Sequence, residues 1–412
     1  MGPIELIALG LNGVVGVGIF FVPAAVARQV SGTAGAMVYA ATALACLPIA
    51  LAFARLGNRF DEDGGPYVFA REAFGPRAAF VVGWLACVSA IFSTSAVIRG
   101  LAQSLPWNQD AGSWGVRATA SLIVLLLAAI VAAGLKISAW AWTGVTVAKI
   151  LPLVTLLIVA LAFVPVAPAT ATPAPEATGE LLRASLIVLF ALQGFEIVAV
   201  PAGHVKRPGS VAIATVVALA GATLLYVGLH LACVRALPGL GASKAPLVDA
   251  ATAYGGQRLG RLLSAGTSVS ALGIALGMVA MTPRYLAALG RRDGFGPWLG
   301  VSNARGVPTR ALAITAFVVF CLVQIGSLDE LFAMSSIAVL AQYGSTAGSL
   351  IRLGVRKFRG LGKRDIVLGI LASATTLAVV SGAHWKELAR AAVVIVAGVV
   401  LKVAVSRRPG QA

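Results

Sequence analysis

Charge is scarce in this chain: 11% of its 412 residues are Asp, Glu, Lys or Arg, while 59% are apolar. Soluble domains carry about a quarter charged residues, so this sequence lacks the charge to cover a water-facing surface, and a soluble globular protein is excluded. Carboxylates are scarcer still, with 15 Asp and Glu in all, and there are only 3 His. No HExxH occurs, the carboxylates do not cluster and the His are dispersed, so no metal-dependent or Ser/His chemistry can be assembled. Cys46, Cys87, Cys233 and Cys321 stand singly inside apolar runs, without the paired spacing of zinc or redox sites, and read as small core residues. The expectation is no enzyme, no metal and no cofactor. A basic stretch ahead of the first apolar run is also missing, so Ile4 onward reads as a retained helix rather than a signal peptide.

What the chain does contain is long apolar runs, such as Ala34 to Ala54 and Ala78 to Ile98. These are continuous, unlike the alternating ten-residue segments of a membrane β-barrel, and each matches the ~20 residues that a bilayer-crossing helix needs. Helices are expected near 4–27, 34–56, 78–104, 116–134, 139–165, 181–203, 210–235, 259–289, 310–326, 330–353, 366–382 and 387–405. The class is an all-α, multi-pass membrane protein of twelve spans, with both termini on one side.

The distribution of basic residues orients it. Connections on the terminal side hold 21 of the 32 Lys and Arg, the opposite side holds ten, and Lys149 lies within a span. By the positive-inside rule the termini are cytoplasmic, in the cytoplasmic (inner) membrane of a cell. The net charge of +17 is therefore a topology signal that requires no nucleic acid partner. The Pro/Ala/Thr tract from Val164 to Glu180 is too polar and broken to span. It divides the chain into a first set of five helices (1–165), a linker (166–180), a second set of five (181–354), and a final pair with a short tail (355–412).

Two helices carry breaks at corresponding places. The first contains Gly13, Gly16 and Gly18 followed by Pro23, and the sixth contains Gly194 followed by Pro201. Each opens its set of five, which is the sequence pattern of a transporter site built from discontinuous helices. The competing reading of the glycines is close helix packing. Unwound backbone in a dry medium frees N–H groups suited to a carboxylate and carbonyls suited to an ammonium, so a zwitterion satisfies both. Lys149 lies in the middle of the fifth helix, roughly 15 Å from either end at 1.5 Å per residue, too far to reach water. It reads either as a cation beside the site, fixed or protonatable, or as an ammonium that satisfies freed carbonyls. Glu196, just past Gly194, reads either as a functional carboxyl or as a hydrogen-bond partner for loose backbone. Glu5, and His230 toward the outer end of the seventh helix, are read as interfacial, and His204 and His384 as solvated.

Four segments resemble the amino acid–polyamine–organocation (APC) transporter family. GVVGVGIFFVPAAVA is similar to its helix-one motif, DEDGGPYVFAREAFGP at 61–76 to its GG-x-Y segment, ALQGFEIVAVP to its helix-six segment, and RYLAALGRRDGFGP at 284–297 to its helix-eight ending. The resemblance implies a five-plus-five inverted-repeat fold with broken helices one and six, and alternating access. It implies that a substrate carboxylate meets backbone N–H groups around Gly16, Val17, Gly18 and Ile19. The amino group would meet carbonyls near Phe190, Ala191 and Leu192 beside Gly194, with Phe195 or Phe190 as a gate. Lys149 falls where sodium-independent members carry a lysine in place of a sodium ion, with Ser270 as its helix-eight partner. Val17 departs from the family's usual Ser, Ala or Thr. No Cys lies between helices three and four, so no disulfide-linked glycoprotein subunit is expected. The function implied is a sodium-independent permease for amino acids or related amines, working by proton symport or by exchange. The alternatives are an intramembrane enzyme, for which no catalytic set is found, and a channel, for which no filter loop or ring of like charge is found.

Overall fold

A computed structural model of the protein describes residues 3–16, 18–60, 65–108, 112–134, 139–162, 178–199, 210–292 and 296–406. Every regular element among them is helical. The chain begins with α1 (Pro3–Val14) and α2 (Gly18–Ala27), then α3 (Ala34–Gly57), a short α4 (Pro66–Phe74) and α5 (Pro76–Ser104). α6 (Ser113–Ala132), α7 (Ala139–Ala162), α8 (Thr178–Leu192) and α9 (Ser210–Ala236) follow. The remainder is α10 (Pro246–Arg292), α11 (Thr309–Ile325), α12 (Leu328–Val355), α13 (Lys363–Val380) and α14 (Trp385–Ser406).

Local chemistry sets these ends. Pro66 and Pro76 each open a helix at the position where the missing N–H costs nothing. Ser327 and Glu330 form a reciprocal capping box at the start of α12. Three elements differ from the sequence expectation. The segment ahead of the third predicted helix folds into the separate α4. The predicted helix at 259–289 is the second part of α10, which starts at Pro246 and is interrupted by non-helical backbone at Gly255 and Gly256. The predicted sixth helix stops at Leu192, and a tight 3-10 turn, Phe195–Ala199, follows. His204 lies outside the described residues.

Among the described helices, α3, α5, α6, α9 and α10 are individually long and apolar enough to cross a membrane. Two further pairs are apolar but bent, α1 with α2 by 46° and α13 with α14 by 119°. Exposed Leu44, Leu122, Leu125, Leu224 and Phe317 give the bundle an apolar outer face, as lipid contact requires. α5 is central, with α10 and α12 along it, while α9 packs against both α1 and α3. The expectation for His230 needs correction. It is fully buried, tilted against Tyr39 with ring centroids 5.3 Å apart, because it faces α3 across the close approach at Gly35 rather than an interface. Cys46, Cys87 and Cys233 are buried and Cys321 is half-buried. Exposed His384 is solvated.

Candidate functional site

The site is assembled from two interruptions that meet. α1 closes with Val15 N–H donating to the Leu11 carbonyl (2.8 Å), and Gly16 N–H turns back to the Val14 carbonyl (2.6 Å). α2 resumes at Gly18. On the other strand of the crossing, Gly194 holds φ at +118°, a conformation that side-chain-bearing residues rarely adopt. A Cβ on Gly194 would stand 2.3 Å from the Gly13 carbonyl oxygen, and one on Gly18 would stand 2.9 Å from the Ala191 Cα. Glycine at both places lets the two backbones touch without intervening side chains. Peptide groups of the two interruptions are thereby brought against each other inside the bundle.

Polar side chains tie the breaks to neighbouring helices. The Tyr226 hydroxyl, from α9, lies 2.8 Å from the Val14 carbonyl and 3.3 Å from that of Ala191, so one phenol bridges both interruptions. One Glu196 oxygen accepts from Gly194 N–H and from the Tyr343 hydroxyl of α12, both at 2.8 Å. These contacts tie Glu196 to loose backbone. Gln193 donates to Ser93 and Ser335, each at 3.3 Å, and those two hydroxyls lie 2.6 Å apart, joining α5 and α12 to the sixth-helix break. A Tyr226→Phe protein keeps the ring and loses only the bridge. An unpaired buried carbonyl costs ~1–3 kcal/mol, so its unfolding midpoint in detergent falls. A midpoint equal to that of the parent protein would show that neither carbonyl depends on the hydroxyl.

Of the residues expected from sequence, Gly16, Gly18, Phe190, Ala191 and Gly194 are brought to this crossing, with Ile19 and Leu192 fully buried next in the chain. Phe190 packs on Phe332 with centroids 4.3 Å apart, and its ring edge lies close to Gly18. Phe195 instead joins an aromatic cluster with Phe53 and Tyr343. Val17 lies outside the described residues. Lys149 is placed on α7 as backbone only, its side chain lying outside the description. Ser270 is fully buried on α10, which packs along α7, and its hydroxyl has no hydrogen-bond partner among the described residues. Sequence reasoning missed Tyr226, Gln193, Ser93, Ser335 and Tyr343. The available signal was a polar tip in an otherwise apolar span, which must find a partner when buried.

An all-helical apolar bundle in which two helix interruptions meet at mid-helix is the pattern of a membrane carrier. The chain belongs to the amino acid permease family, whose sequence model matches residues 1–404, and so to the APC transporters. It is similar to an uncharacterised transporter of Mycobacterium tuberculosis, at 27% identity over 366 residues, 87% of this chain and 81% of the relative. It is also similar to human cationic amino acid transporter 4, at 27% identity over 87% of this chain and 60% of the relative. The methylthioribose transporter of Bacillus subtilis is 26% identical over 81% of this chain and 77% of the relative.

Proposed function

We propose that this protein moves amino acids or related amines across the cytoplasmic membrane by alternating access, without sodium, driven by proton symport or by exchange. The observation that carries the reading is the direct contact of the two interruptions at Gly13–Gly194 and Gly18–Ala191. N–H groups following Gly16 suit the substrate carboxylate, and carbonyls at the end of α8 suit its amino group. Glycines at the contact keep side chains away from the backbone groups that would recognise the part all amino acids share. In this reading Lys149 occupies the place of a coupling cation and Ser270 stands opposite it on α10. The twelve-span, five-plus-five arrangement with cytoplasmic termini supplies the two rocking halves.

Proteoliposome uptake tests this. Uptake of a carried amino acid persists when potassium replaces sodium, saturates, and shows counterflow driven by unlabelled substrate. In Lys149→Ala its dependence on a proton gradient or on internal substrate disappears. Uptake that collapses without sodium yet survives Lys149→Ala would reject the coupling scheme.

A further inference from the structure

The connection between α12 and α13 is strongly basic. Residues 352–364 hold Arg352, Arg356, Lys357, Arg359, Lys363 and Arg364 and no carboxylate. The connection is seated against the end of α3, which is long and apolar enough to cross the bilayer, so the membrane surface lies near Arg55 to Phe60. The Arg55 guanidinium lies 2.7 Å from Asp365, and the Phe60 and Phe358 rings stack with centroids 5.7 Å apart. Arg359 donates to the Arg59 carbonyl while its guanidinium rests over Phe358 and Phe60, at 5.2 and 5.7 Å. These contacts hold the connection at the depth of lipid headgroups. Val355 and Val367, exposed on either side of it in the chain, offer the apolar surface that acyl chains cover.

Two features set this turn apart from an ordinary solvated loop. The first is its backbone: Lys357 (φ +53°) and Arg359 (φ +44°) are left-handed, the only non-glycine residues so placed among the described ones. Glycine adopts that conformation without strain, whereas a side chain disfavours it. Topology accounts for cations on this side of the membrane but not for cations on backbone of that kind, and such outliers point to a function of the side chains themselves. The second feature is charge. Arg356, Lys357, Lys363 and Arg364 are exposed, and none of them makes an ion pair among the described residues. Asp61, Glu62 and Asp63, which follow α3 in the chain, lie outside the described residues. Set in full against the face, with Glu72 and Asp365, they leave nine Lys and Arg, Arg55, Arg59 and Arg71 included, to five carboxylates.

We propose that this turn binds the headgroup of an anionic phospholipid in the leaflet that it faces. Clusters of about four to eight Lys and Arg directly beside a membrane-crossing helix attract such lipids through their charge. The planar guanidiniums of Arg356 and Arg364 can each grip two phosphate oxygens, and the Lys ammoniums act as point charges. The inference goes beyond transport: it is the same whatever the protein carries, and its test needs no uptake.

The full-length parent is compared in detergent with Arg356→Gln/Lys357→Gly/Lys363→Gln/Arg364→Gln and with Lys357→Gly alone. Unfolding midpoints are read against added phosphatidylglycerol, phosphatidylcholine or soluble glycerol 3-phosphate, at about 0.1 M and about 1 M salt, where the Debye length is about 10 and 3 Å. Phosphatidylglycerol raises the parent's midpoint more than phosphatidylcholine does, and the difference shrinks at the higher salt. Each basic side chain at such a surface is worth roughly fivefold in affinity, so Lys357→Gly needs about fivefold more phosphatidylglycerol for the same shift and the quadruple variant at least about tenfold more. Lys357→Gly also relieves the left-handed backbone, so its lipid-free midpoint equals or exceeds the parent's and its weaker response is not a loss of fold. Equal responses of parent and quadruple variant, or a parent stabilised as well by phosphatidylcholine as by phosphatidylglycerol, overturn the proposal. Equal stabilisation by glycerol 3-phosphate also overturns it, by assigning the turn to a free phosphate. Should the quadruple variant fail to fold, Lys357→Gly decides alone, an unchanged response overturning the proposal.

Discussion

Gly194→Ala is expected to reduce uptake by about a hundredfold or more, the loss that a 1 Å misplacement near a reacting or binding centre can produce. Two independent penalties fall on this one methyl group. The backbone at φ +118° disfavours any side chain, at ~1–3 kcal/mol. The new Cβ would also lie 2.3 Å from the Gly13 oxygen and 2.6 Å from its carbonyl carbon, both backbone atoms that cannot swing away. Overpacking of this kind costs a further ~1–3 kcal/mol. The relief available is separation of the two interruptions, which also strains the Tyr226 bridge between the Val14 and Ala191 carbonyls. Thermal unfolding in detergent and initial-rate uptake are measured together, with Gly344→Ala on α12 as the control, where the nearest atom to a new Cβ is at an ordinary 3.8 Å. A Gly194→Ala protein that transports as the control does would refute the contact as the basis of the site.

Glu387→Ala carries the largest expected stability loss, ~3–5 kcal/mol, because it strands a buried arginine. Arg183 near the start of α8 and Glu387 near the start of α14 form a two-pronged pair at 2.6 and 2.8 Å, with side chains only 11% and 5% exposed. The same carboxylate accepts from His384 N–H at 3.0 Å, and Gly382 sits against the Leu182 carbonyl, so the α13–α14 turn is clamped to α8. α8 runs from this clamp directly to the interruption at Leu192–Gly194, and the clamp fixes where that interruption lies. Replacing both partners, as in Arg183→Met/Glu387→Leu, removes the stranded charge and recovers most of the unfolding midpoint. A single variant within about 1 kcal/mol of the parent, the range of exposed pairs, would show that water reaches the pair and that it clamps nothing.

The helices were legible because a bilayer demands runs of a set length, and hydropathy along 34–56 or 210–235 needs no knowledge of neighbours. The observed α3 and α9 fall within a residue of those expectations. The interruptions were legible for the same local reason, since Gly and Pro act on their own backbone. α4 and the first part of α10 were missed because they are short and part polar, lying between apolar runs where hydropathy is silent. His230 was misread for another reason: a polar tip near a helix end looks interfacial unless the opposing glycine, Gly35, is known to admit it.

Sequence by itself determined the solvent this protein folds in, the positions of its main apolar helices, and two of the places where helical hydrogen bonding fails, the third, at Gly255 and Gly256, emerging only in the structure. What it determined depends on the properties of contiguous residues. Tertiary structure alone decided that the failures touch, that one phenol from α9 serves both, and that residues 204 positions apart clamp α8 to α14. Packing geometry sets those pairings, since the register between two helices depends on how their surfaces interlock and not on the composition of either one.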